Sequence, residues 1–151
     1  MNEAAAASAR ARILIVDDNR MGLVARKHVL EEVGHEVAIA QSPHEALARF
    51  QSEAYDIVVT DFRMPQMSGV DLIRDLRAVN PKVPIVLISG FTDALGLDEE
   101  TTGADAVIQK SHSEVPQLVR AVSRLLNRTG KKKPPGKQSP PPPPGSTQRR
   151  G

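Results

Sequence analysis

Five residues of this 151-residue chain share a setting that chemistry can use: Asp17, Asp18, Asp61, Ser89 and Lys110 each stand at or just beyond the end of a short apolar run. Asp17 and Asp18 follow the run 13–16, Asp61 closes DIVVTD, Ser89 follows 85–88, and Lys110 comes two residues after 106–108. Carboxylates packed together repel, and at least one pKa rises unless a cation neutralises them. A hard divalent ion such as magnesium answers that need, because it takes a few carboxylates, keeps several waters and then meets phosphate oxygens. A hydroxyl at Ser89 and an ammonium at Lys110 supply what a phosphoryl group requires, and Asp61 as nucleophile could then form an aspartyl phosphate. Each residue has a plainer account as well. Asp17-Asp18-Asn19 can cap a helix, Asp61 and Ser89-Gly90 can open turns, and Lys110 can be a solvated surface charge. The functional reading rests on the conjunction, at the ends of four different runs.

Those runs must be positioned by something. Five recur, at 13–16, 37–40, 57–59, 85–88 and 106–108, and a segment with helix signals follows each. Runs this short and this apolar fit strands buried on both faces. In residues 20–33, Met21, Ala25, Val29 and Val33 recur four apart with Leu30 beside them, and Gly34 is a natural stop. Ser42-Pro43-His44-Glu45 is a capping box with proline at the first helical position, and Ala46, Leu47 and Phe50 follow as its core face. Ser68-Gly69-Val70-Asp71 is a similar box, ahead of Leu72, Ile73, Leu76 and Val79, with Asn80-Pro81 as the stop. Residues 92–102 carry Gly96 and the acidic cluster Asp98-Glu99-Glu100, and predict a short or mobile helix. Val115, Leu118, Val119, Val122, Leu125 and Leu126 fit helical spacing well. Alternating strands and helices predict an α/β fold, a parallel sheet between two helical layers. With five repeats the flavodoxin-like (βα)5 order 2-1-3-4-5 leads, and it sets Asp17 and Asp18 beside Asp61 at the switch point.

Composition bounds the rest. Without cysteine the chain can build neither a disulfide nor a thiolate metal site. No apolar run reaches membrane-spanning length, and MNEAAAASARAR lacks the layout of a secretory leader, so a cytoplasmic location is expected. The net charge of +2 averages two regions: residues 1–130 hold 14 Lys/Arg against 18 Asp/Glu, whereas 131–151 hold six Lys/Arg and no acid. A mildly acidic folded part argues against a DNA-binding domain. The spacing of His28, His35, His44 and His112 matches no metal pattern.

RILIVDDN, DIVVTDFRMPQMSGVDLI, PIVLISG and GADAVIQK together resemble the receiver domain of two-component response regulators, the CheY-like family, over about residues 11–128. The resemblance implies that Asp61 accepts a phosphoryl group from a phosphohistidine on a sensor histidine kinase or a histidine phosphotransfer protein. It implies a magnesium ion held by Asp17, Asp18, Asp61 and the backbone carbonyl of Arg63, with Lys110 on the phosphoryl group and Ser89 swinging toward it. Arg20, Arg26, Lys27 and His28 then become candidates for a cationic rim that meets a kinase, with a solvated helix face as the alternative. Three departures stand out. Val107 occupies the place of a mobile aromatic, which puts the usual relay in doubt, and Phe91 is a possible substitute. Ser111 replaces the proline that usually follows the lysine, so a trans Lys110–Ser111 bond or an altered loop is expected. Arg63, with Phe91, sits where family members control water access, so it is expected to change the lifetime of the phosphoryl group.

The expected organisation is a flexible segment 1–10, a receiver at 11–128 and a disordered basic, proline-rich tail at 129–151. Seven prolines in residues 131–151 favour polyproline II or disorder; a solubilising tail and a ligand for an acidic partner both remain open. The module is expected to signal through an unidentified downstream protein, with a homodimer as an option, and not to act as an enzyme on a metabolite. The alternative is a phosphorylation-independent pseudo-receiver that binds partners. A haloacid-dehalogenase-like phosphatase fits less well, because it wants a DxD motif where this chain has Asp17-Asp18-Asn19.

Overall fold

The structure, a computed structural model, describes residues 10–90 and 96–128. The expectations for Phe91 and for the tail lie outside these residues. Strands β1 (Arg12–Val16), β2 (Glu36–Ala40), β3 (Ile57–Asp61), β4 (Ile85–Ser89) and β5 (Ala106–Gln109) form one parallel sheet in the order β2-β1-β3-β4-β5. Helices α1 (Arg20–Glu32), α2 (Pro43–Ser52), α3 (Gly69–Val79), α4 (Glu99–Thr102) and α5 (Glu114–Arg128) alternate with them. The fold class and strand order are those expected.

Two cores follow from the alternation of side chains along each strand. Ile13 and Ile15 of β1, Ile57 and Val59 of β3, and Val86 and Ile88 of β4 pack beneath α1 and α5, against Leu23, Leu30, Leu118 and Val122. The residues between them, Leu14, Val16, Val58, Ile85 and Leu87, face α2 and α3 and meet Ala46, Phe50, Leu72 and Leu76. Strands covered on both faces are apolar throughout, which is why these runs show no alternation in sequence.

Local signals set the helix ends. Ser42 Oγ accepts from the Glu45 amide at 3.1 Å, while Glu45 Oε1 reaches one residue beyond the cap and accepts from the Gln41 amide at 2.8 Å. Ser68 Oγ accepts from the Asp71 amide at 3.2 Å. Gly34, at φ 115°, ends α1 in a conformation that a β-carbon disfavours. Helix α4 is a single turn capped at both ends, by the Asp98–Thr101 box and by Gly103 at φ 83°; the expectation of a short helix holds.

Helix α1 corrects the expected stripe. Its buried residues are Leu23, Arg26 and Leu30, whereas Met21 is 82 % exposed and Val33 39 % exposed. A guanidinium occupies the middle of the core face, so the apolar spacing pointed to a face rotated away from the true one. Val79, the last residue of α3, is also exposed. His35 is buried and structural, its Nδ1 accepting from the Ala11 amide at 3.2 Å.

Candidate functional site

All the C-terminal strand ends open on one edge of the sheet, and the crossover between β1 and β3 makes a crevice there. Asp17, Asp18, Asp61, Arg63, Ser89 and Lys110 all line it. Asp17 follows β1 directly and donates its backbone N–H to the Ala40 carbonyl at 3.2 Å, so β2 fixes its backbone. Its side chain is buried and held at both oxygens. Oδ1 accepts from the Asn19 amide at 2.9 Å, and Oδ2 accepts from Arg26 Nη1 at 2.7 Å. Asp18, the next residue, is exposed. Asn19 caps α1 by accepting from the Gly22 amide at 3.1 Å, so capping belongs to Asn19 and leaves both acids to the crevice.

Asp61 is the last residue of β3, pairs in register with Ile88 and is 3 % exposed. Lys110 Nζ lies 2.7 Å from its Oδ1. The two side chains form a close ion pair at the end of β3. Burial raises the Asp61 pKa above the usual carboxylate range; Lys110 pulls it down, Asp17 pushes it up, and the net shift is upward. Lys110 itself is placed by β5, whose end passes its N–H to the Ser89 carbonyl at 2.9 Å. Ser89 ends β4 and is buried at the floor of the crevice. The Lys110–Ser111 peptide bond is trans, as expected.

The turn between Asp61 and α3 closes tightly. Gly69 donates its N–H to the Phe62 carbonyl at 2.7 Å. A β-carbon on Gly69 would overlap the Asp61 carbonyl oxygen and come within 2.8 Å of Leu87 Cδ1 and 3.0 Å of Phe62 Cα. Glycine here lets the start of α3 touch the strand that carries the acid. Met64, in the same turn, is buried beneath it.

Asp17, Asp18 and Asp61 each offer an oxygen within 4.8 Å of the other two. Three hard anionic oxygens this close fit a small divalent cation such as Mg2+ and suit no soft metal. Among the described residues this is the one cluster of acids and histidines close enough to hold a metal. The arrangement suits phosphoryl chemistry: a buried carboxylate, a cation 2.7 Å away and a buried hydroxyl residue on the neighbouring strand.

Sequence reasoning placed Arg26 on an exposed rim, and the structure overturns this. Arg26 is 6 % exposed, donating from Nη1 to Asp17 and from Nε to Glu114 Oε2 at 2.7 Å. Arg20 and His28 are exposed, while Lys27 pairs with Glu31 at 2.7 Å. Glu114, the first residue of α5, was missed altogether. The one hint for Arg26 was its place three positions after Leu23 and four before Leu30; nothing in the sequence marked Glu114 as its partner.

A model of the response regulator receiver domain matches residues 13–123. The gliding motility regulatory protein of Myxococcus xanthus is 32 % identical over 127 residues, which cover 80 % of this chain and 16 % of that protein. The chain spans between 16 % and 36 % of the length of several curated relatives that it matches. A response regulator receiver domain protein from Clostridium thermocellum superposes with a TM-score of 0.72 at 31 % identity, covering 80 % of this chain and 97 % of the other. The TrrA response regulator of Thermotoga maritima, solved in complex with Mg(2+)-BeF, gives 0.69 at 32 % identity, covering 76 % and 98 %.

Proposed function

The chain belongs to the response regulator receiver family, and from that premise we propose that Asp61 is its phosphoacceptor, charged from a phosphohistidine on a partner protein. One observation carries this reading: Asp61 lies with two other acids inside 4.8 Å and with a lysine 2.7 Å from its oxygen. A carboxylate oxygen of Asp61 attacks phosphorus, the P–O bond forms, the P–N bond breaks, and the electron pair leaves on the histidine ring. Lys110 meets the charge that arrives on the phosphoryl oxygens, and Ser89 on β4 offers a donor to the same group. Mg2+, when bound by Asp17, Asp18, Asp61 and the Arg63 carbonyl, supplies countercharge to the acids and to the phosphoryl oxygens.

The product is a switch. A receiver is a signalling module, and for this chain the chemistry ends with its own phosphorylation and slow dephosphorylation. A new dianion beside Lys110 and Ser89 biases the loops after β4 and β5, and a partner protein reads the changed surface. We place the folded module at residues 11–128 and leave 1–10 and 129–151 as flanks. No helix among the described residues is long and apolar enough to cross a membrane.

Intact mass after incubation with acetyl phosphate and Mg2+ tests the assignment. A single phosphoryl adduct is expected in the wild type, absent in Asp61→Asn and lost when the metal is chelated. An adduct that survives in Asp61→Asn would place the acceptor elsewhere. No adduct in either protein, with no Mg2+ binding, would favour a receiver that binds partners without phosphate.

A further inference from the structure

Arg26 is a cation built into the acidic site from beneath. It shares the core face of α1 with Leu23 and Leu30, a position where a charge is costly unless paired. It holds Asp17 Oδ2 with one nitrogen and Glu114 Oε2 with another, both at 2.7 Å. Burial opposes its charge, and the two carboxylates more than offset that, so its pKa is raised. Gly22, one turn earlier, makes room for the pair: a β-carbon there would stand 3.1 Å from Asp17 Oδ2 and 3.4 Å from Arg26 Nη1.

We propose that Arg26 is a positioning residue that holds Asp17 and transmits the charge of the acidic site to Glu114 at the start of α5. The inference rests on the phosphoacceptor reading and adds a route out of the site. Lys110 and Arg26 each hold one of the acids there in an ion pair. A divalent ion that engages Asp17 draws on the carboxylate that Arg26 also uses. The guanidinium then leans further on Glu114, its second anion, and the first turn of α5 feels the change. This route needs no mobile aromatic on β5, where the chain has the aliphatic Val107. A purely structural ion pair makes a different forecast: Mg2+ shifts that stop at the strand ends and never reach the start of α5.

Mg2+ titrations of the full-length chain, followed by calorimetry and by backbone amide NMR, separate the two. In Arg26→Met a competing cation is gone, so Mg2+ binds about tenfold more tightly or better. In Glu114→Gln an anion is gone and Arg26 turns wholly to Asp17, so Mg2+ binds about threefold more weakly or worse. Wild-type amides 114–118 shift on adding Mg2+, and in Arg26→Met that shift disappears. Equal affinities in wild type and both variants, or Mg2+ shifts in the wild type that stop at the strand ends, would overturn the proposal while leaving the acceptor assignment standing. If Arg26→Met fails to fold, Glu114→Gln still decides by the sign of its change. A wild type that binds no Mg2+ and forms no phosphoryl adduct would end both readings together.

Discussion

Asp61 carries a charge that burial disfavours and that Lys110 only partly offsets. Its folded pKa lies above the value near 3.9 expected in the unfolded chain, so the folded state binds its proton more tightly. This contribution to stability is present in full below the unfolded value and is lost as pH rises through the raised folded one. In metal-free buffer Asp61→Asn is therefore expected to be more stable than wild type at pH 7, with the gain shrinking toward pH 4. Urea midpoints at the two pH values check this, and a variant less stable at pH 7 would mean that the lysine contact outweighs burial. The site acids, Ser89 and Lys110 could be read from the sequence because each lies at or just past the end of an apolar run. Arg26 and Glu114 could not, because a charged helix residue ordinarily belongs to a solvated face.

At the scale of elements, the turn from Asp61 into α3 is the tightest structural demand on the site. Gly69→Ala forces a β-carbon against backbone of β3 and its neighbours, and overpacking of this kind costs about 1–3 kcal/mol. Because the clash includes the Asp61 carbonyl, the variant is also expected to phosphorylate more slowly from acetyl phosphate. Ser68→Ala removes only the cap of α3, worth about 1 kcal/mol, and is expected to leave the phosphorylation rate near wild type. Comparing the two by urea midpoint and by adduct formation separates loss of stability from loss of site geometry. Most helices were legible from their caps and stops. The face of α1 was not, since the four-residue spacing of Met21, Ala25, Val29 and Val33 described a stripe that the fold leaves largely outside.

For the whole molecule, an ion held by the acid cluster adds to the stability of the fold. Anything bound only by the folded state stabilises it by mass action, by about 2.7 kcal/mol when its concentration is 100 times its Kd. The thermal midpoint is thus expected to rise with Mg2+ and to fall back on chelation. Asp61→Asn is expected to respond less, having lost one of the three acids. A midpoint indifferent to Mg2+ in the millimolar range would argue that the cluster does not take the ion. The same arithmetic makes the module's fold sensitive to what occupies its crevice, which is what a switch read by a partner requires.

The strand order, the two helical layers and the gathering of Asp17, Asp18, Asp61, Ser89 and Lys110 at one crevice all follow from the chain's own pattern. Short apolar runs that alternate with helices build a parallel sheet, and their C-terminal ends then meet at one edge of it. What the tertiary structure alone decided was which helix face turns inward and what fills it. Arg26 is buried because Asp17 and Glu114, nine residues behind it and 88 ahead, arrive beside it when α1 and α5 pack on the same face. Spacing along one helix carries no record of partners that distant, so the Arg26 contact to the acidic site appears only in three dimensions.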